Sequence, residues 1–140
     1  MNYSSNVCMK CNCREHDNYI SKNKKFILNL NNYRNAHYFI LNTAKVKFKE
    51  MILEKIYCLP EFKNKIKITY TLFPGSHRKL DLSNVCSIVD KFFCDALTEA
   101  KRLPDDNYNF IPEVVYKFGE IDINNPRVEI NIEEIKWLLL

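Results

Sequence analysis

Residues 65–99 read KIKITYTLFPGSHRKLDLSNVCSIVDKFFCDALTE, and two different periodicities within them decide the fold class. From Lys65 to Phe73 apolar and polar residues alternate, the period-two pattern of a strand with one buried face. Pro74-Gly75 ends it, and Ser76 to Lys79 follow as an exposed basic loop. The period then changes. Val85, Ile88, Val89, Phe92, Phe93, Ala96 and Leu97 recur at helical spacing without a miss, which predicts an amphipathic helix from about Ser83 to Glu99. Asp81, Ser83 and Asn84 are its candidate caps.

Toward the N-terminus, Val46, Phe48, Met51, Ile52 and Ile56, with the stem of Lys55, approximate a second helix over Thr43 to Tyr57. Thr43 reads as its N-cap and Pro60 lies just past its end, with Lys45, Lys47 and Lys49 facing water or a nucleic-acid backbone. Lys25 to Leu30 (KFILNL) reads as a strand and Asn31 to Tyr38 as a polar loop with interleaved aromatic rings. Residues 1–23 are polar, asparagine-rich and aperiodic, a flexible Cys-rich leader. Toward the C-terminus, Leu103 to Asn107 is turn chemistry. Residues 112–118 and 127–135 read as strands separated by a turn over Asp122 to Pro126. Trp137 and residues 138–140 form an apolar tail. The expectation is one small α+β domain over residues 24–140, in the order β-α-β-α-β-β, its mixed sheet packed with two helices.

Composition narrows the function. A chain of 140 residues, 46% hydrophobic and 27% charged, can bury a core without disulfides or metal. With only two glycines, Gly75 and Gly119, it lacks the phosphate-cradling glycine loops of common nucleotide-binding proteins, so no small-molecule cofactor is expected. No apolar run approaches the ~20 residues of a membrane helix, and MNYSSNVCMK lacks the core of a signal peptide. A cytoplasmic protein with reduced cysteines is the expectation, with no membrane partner.

Charge is unevenly spread. Residues 1–49 carry nine Lys or Arg against Glu15 and Asp17, whereas the remainder carries more acids than bases. A basic front joined to an acidic back suits gripping a polyanion with one part and acting on it with the other, and a solvated lysine-rich surface is the plain alternative. Cys8, Cys11, Cys13 and His16 are zinc-competent side chains, although Cys11 and Cys13 stand too close for relaxed ligation of one ion. Cys58, Cys86 and Cys94 sit among apolar residues and read as small core side chains.

Two acidic features bracket the central helix: Asp81-Leu82-Ser83-Asn84 before it and Asp105-Asp106 after it. Paired carboxylates suit a hard divalent cation that leaves positions open for water and phosphate oxygens. Capping by Asp81 and turn formation by Asp105-Asp106 are the structural alternatives.

The order of these residues resembles the RusA family of Holliday junction resolvases, found mainly in phages and prophages. Asn31-Asn32-Tyr33-Arg34 precedes a lysine-bearing helix, Asp81-Leu82-Ser83-Asn84 leads to Lys91 and Asp95-Ala96-Leu97, and Asp105-Asp106 precedes the last strands. The resemblance spans roughly residues 26–135. It implies a small α+β homodimer that cuts four-way DNA junctions with Mg²⁺ or Mn²⁺ in recombination or repair, in the cytoplasm of the host cell if phage-encoded.

Position by position, it implies Asp81 and Asp106 as catalytic carboxylates and metal ligands, with Asp105 and Ser83 beside them in the metal shell. Lys91 matches the family's helix lysine, in contact with phosphate or the leaving group. Asn32, Tyr33, Arg34, Lys45, Lys47, Lys49, Arg78 and Lys79 are the expected DNA contacts. Two departures stand out: Ser83 replaces an expected aspartate, and the interval from Asp81 to Asp95 is about one helical turn longer than the family's. Asp95 and Asp90 lie about 21 and 13 Å along a helix from Asp81, too far to replace the lost ligand. Asp106 reaches Asp81 only if residues 100–105 double back along the helix, so weakened metal binding is expected. The alternatives from other classes are a branched-DNA-binding protein without cleavage and a phage factor that acts on another protein.

Overall fold

The computed structural model of the chain describes residues 27–136, together with the backbone of residues 5–9. The elements are β1 (Ser5–Met9), α1 (Leu30–Asn35), α2 (Tyr38–Tyr57), β2 (Ile66–Phe73), α3 (Leu82–Glu99), β3 (Glu113–Phe118) and β4 (Arg127–Glu134). The protein is a small α+β fold with a mixed sheet in the strand order β1-β4-β2-β3. β2 pairs parallel with β3, Tyr70 opposite Tyr116, and antiparallel with β4, Tyr70 opposite Ile130.

Alternation along the central strands creates one apolar face. Ile66, Ile68, Tyr70 and Leu72 of β2 and Val128, Ile130 and Ile132 of β4 are buried, and the residues between them form a polar face that is half-buried, with Thr69 buried. The helices cover the apolar face. Ile88, Val89, Phe92, Phe93, Ala96 and Leu97 of α3 are buried as the helical period requires, and Phe48, Ile52 and Ile56 of α2 join them. Two ring contacts lock these layers edge to face, Phe48 on Phe92 at 5.6 Å and Tyr70 on Phe93 at 6.4 Å between centroids.

The N-terminal third departs from expectation. No strand spans residues 27–30. The Asn29 side chain accepts from the Asn32 N–H at 2.8 Å and starts α1, so most of the expected loop over 31–38 is helical. The first strand lies instead at Ser5–Met9, inside the stretch read as a leader, paired antiparallel with β4. Thr43 is not an N-cap. α2 begins at Tyr38 with His37 as cap, and the Thr43 hydroxyl donates to the Phe39 carbonyl one turn back, at 2.9 Å. The helices therefore number three among the described residues rather than two. Cys86 and Cys94 are buried as expected, but Cys58 is exposed at the end of α2. The apolar tail from Trp137 and the Cys11, Cys13 and His16 positions lie outside the described residues. Among the described residues no helix is long and apolar enough to cross a membrane.

Candidate nucleic-acid interface and metal site

The first two stretches of the sequence pattern meet in space. Asn84, on the first turn of α3, accepts from the Leu30 N–H at 3.2 Å and fixes α1 against the start of α3. Tyr33 seals the contact, its ring edge-on to Phe92 at 6.3 Å. Tyr33 is thus partly buried against the core. Asn32 is likewise structural, since its amide donates to the Ile27 carbonyl at 2.9 Å and ties the entering chain to α1. Arg34, the residue after Tyr33, is exposed and makes no ion pair among the described residues.

Two of the α2 lysines are engaged in surface ion pairs. Lys45 pairs with Asp95 at 3.1 Å and lies over the Phe92 ring, and Lys49 pairs with Glu99. The repeated four-residue step on both helices marks a parallel α2–α3 seam. It leaves Lys47 as the lysine of this group with no ion pair among the described residues. Arg78 and Lys79, in the loop between β2 and α3, are exposed, as is Lys91 on α3.

Asp81 takes the N-cap position of α3 with extended backbone, φ −80° and ψ 132°, yet its side chain makes no capping hydrogen bond. An exposed carboxylate with no ion pair among the described residues therefore stands beside the positive end of a helix, two residues from Lys79 and two from the exposed Ser83. Asp105 is different: its two oxygens accept from the Asp106 N–H at 2.8 Å and the Asn107 amide at 2.6 Å, closing the turn after α3. Asp106 is exposed, and its charge is felt at the Cys94 thiol.

That placement separates the two catalytic candidates. Cys94 is thirteen residues beyond Asp81, about 20 Å along α3. The segment carrying Asp106 is tied to the start of β2 by the Ile66 N–H bond to Phe110, at 2.8 Å, and by the Phe62 N–H bond to Arg102, at 2.9 Å. Asp81 stands where β2 has ended. Within one subunit the 100–105 segment does not return along the helix, and Asp81 and Asp106 do not share one ion. Among the described residues no cluster of three or more His, Cys, Asp or Glu side chains forms a metal site. Asp81 with Ser83 does suit Mg²⁺ held by one carboxylate, with water and substrate phosphate completing the shell. Cys8, one of the four zinc-competent residues, lies in β1 opposite Glu129.

One acid that the sequence pattern set aside is the most connected on α3. Asp90 accepts from the Tyr70 hydroxyl at 2.6 Å, from the Cys94 thiol at 3.3 Å and from the Tyr116 hydroxyl at 3.4 Å. Burial, and then the Asp90 charge among other neighbours, raise the pKa of Cys94 and Tyr116 above their ordinary values. Burial and the charges of Cys94 and Asp90 do the same to Tyr70. These three groups stay protonated as donors, and Asp90 reads as the hub that joins helix to sheet. Its signal in the sequence is a lone polar residue flanking an apolar stripe. Comparison with protein-family models gives no match, and comparison with curated proteins gives none either.

Proposed function

We propose that the protein is a metal-dependent, structure-selective endodeoxyribonuclease of the Holliday junction resolvase type, working as a homodimer on branched DNA. The observation that carries this reading is the contact of Asn84 with the α1 N-terminus. It joins Asn31-Asn32-Tyr33-Arg34 to Asp81-Leu82-Ser83-Asn84, two stretches of the resolvase-like pattern about fifty residues apart in sequence. Asp81 precedes Asn84 by three residues, and Arg34 of α1 and Arg78 and Lys79 of the loop before α3 are exposed cations. The cations grip phosphates, giving affinity that falls steeply with salt.

Mg²⁺ or Mn²⁺ at Asp81 and Ser83 supplies charge neutralisation at the scissile phosphodiester. Asp81 orients the ion and the Ser83 hydroxyl donates or accepts within its water shell. Lys91, exposed on α3, brings its charge to the phosphate backbone. Asp106 stands at the opposite end of the same helix. In a two-fold dimer with its subunits antiparallel, each Asp106 meets the Asp81 end of the partner, giving two equivalent sites for two strands.

The second reading is a branched-DNA-binding protein that does not cut, favoured by Ser83 in place of a carboxylate. Ser83→Asp separates the two. On a labelled four-way junction with Mg²⁺ it raises the cleavage rate if the native site is active and short of one ligand. If both proteins bind the junction and neither cuts it, the non-cutting reading stands. Absence of binding at low salt overturns both.

A further inference from the structure

Where β2 and β3 end side by side, the chain leaves a groove of about 400 Å³, within the range of about 300–1,000 Å³ usual for ligand pockets. Phe118, Ile121, Leu72 and Leu80 make it apolar, and His77, Arg78 and Lys79 form one wall. Among the described residues no carboxylate lines it. Phe118 leaves 57% of its surface open, a large exposure for a ring at a strand end.

The frame behind this surface is fixed. The Asp122 N–H donates to the Pro74 carbonyl, and the Gly119 N–H to the Leu72 carbonyl, both at 2.9 Å. Arg127 bonds Asp122 at 2.7 Å and lies on the Phe73 ring, 4.0 Å from its centroid. Gly75 packs so closely on Pro126 that a Cβ there would come within 2.6 Å of the ring. A rigid apolar floor thus faces a basic wall, and Asp81 follows that wall by two residues.

A flat exposed ring beside paired cations is the chemistry that holds a nucleotide: the base stacks and the phosphate meets the cations. A base inside a duplex offers no free face, because its neighbours occupy both. We propose that this groove receives one unpaired nucleotide of branched DNA, its base against Phe118 and its phosphate at Arg78 and Lys79. The proposal rests on the DNA reading above and deepens it, since a base held here sets the branch point beside Asp81.

The test uses the full chain at low salt with two DNAs, a blunt duplex and the same duplex bearing a short unpaired flap that contains 2-aminopurine. The native protein should quench the flap fluorescence on binding. Phe118→Ala should abolish the quench and weaken flap binding about tenfold while duplex binding holds. Phe118→Tyr should retain both. Flap binding and quenching unchanged in Phe118→Ala, or an equal loss on both DNAs, overturns the proposal and leaves the DNA reading in place. Failure of the native protein to bind either DNA overturns both.

Discussion

Asp90 shows how a single side chain can bind two layers together. It is half-buried on α3 and collects donors from β2, from β3 and from its own helix. Tyr70 is fully buried, so Tyr70→Phe removes its hydrogen bond to a carboxylate and leaves Asp90 short of a partner. The expected cost is about 1.5–3 kcal/mol, read from urea unfolding with an unchanged m-value. The same cluster governs stability at alkaline pH. Burial, then Asp90, pushes the Cys86 thiol from 9.0 up to about 11, so the unfolded chain loses this proton first. Stability should therefore be full below about pH 9, fall from there through about pH 11, and go on falling above it because the Cys94, Tyr70 and Tyr116 protons are also held more tightly in the fold. Flat stability across that window in an alkaline denaturation series would contradict the cluster. At this scale the sequence marked the exposed acids but gave no sign of the packing contacts of Asn32 and Tyr33. A tyrosine that stacks on DNA and one that packs on Phe92 have the same local signature. Asp90 escaped notice because its partners Tyr70 and Tyr116 come from distant strands.

Periodicity decided which elements could be read in advance. α3 repeats its apolar residues over four turns, and β2 alternates along its length, so both were legible nearly to their ends. α1 and β1 were not. One side-chain cap at Asn29 turns an apolar run into a helix start, and an edge strand such as β1 is held by backbone pairing that leaves no mark on side-chain pattern. The end of α3 has its own chemistry. Lys101 adopts φ 56° so that the Arg102 N–H reaches the Leu97 carbonyl at 2.9 Å and its own N–H reaches Thr98 at 3.0 Å. This is a Schellman ending with lysine where glycine is favoured. Lys101→Gly should raise stability by about 1 kcal/mol, visible as a higher thermal midpoint. An unchanged or lower midpoint would show that the left-handed residue carries no strain.

For the whole molecule, the α+β class and the mixed sheet followed from the alternation of strand and helix patterns. The position of the acids did not. Whether residues 100–112 return along α3 depends on long-range bonds such as Ile66 to Phe110, and these set Asp106 at the end of the helix opposite Asp81. On the reading proposed above, a site that uses both carboxylates draws them from two subunits. The most direct measurement is cleavage of a labelled four-way junction with Mg²⁺ or Mn²⁺. It compares the native protein with Asp81→Asn, with Asp106→Asn, and with the two variants mixed as subunits. Paired symmetric cuts by the native protein are expected, with loss of cutting but not of binding in each variant alone. Partial recovery is expected in the mixture, where one of the two shared sites is intact. A junction bound tightly by the native protein and left uncut with either metal would contradict the nuclease reading.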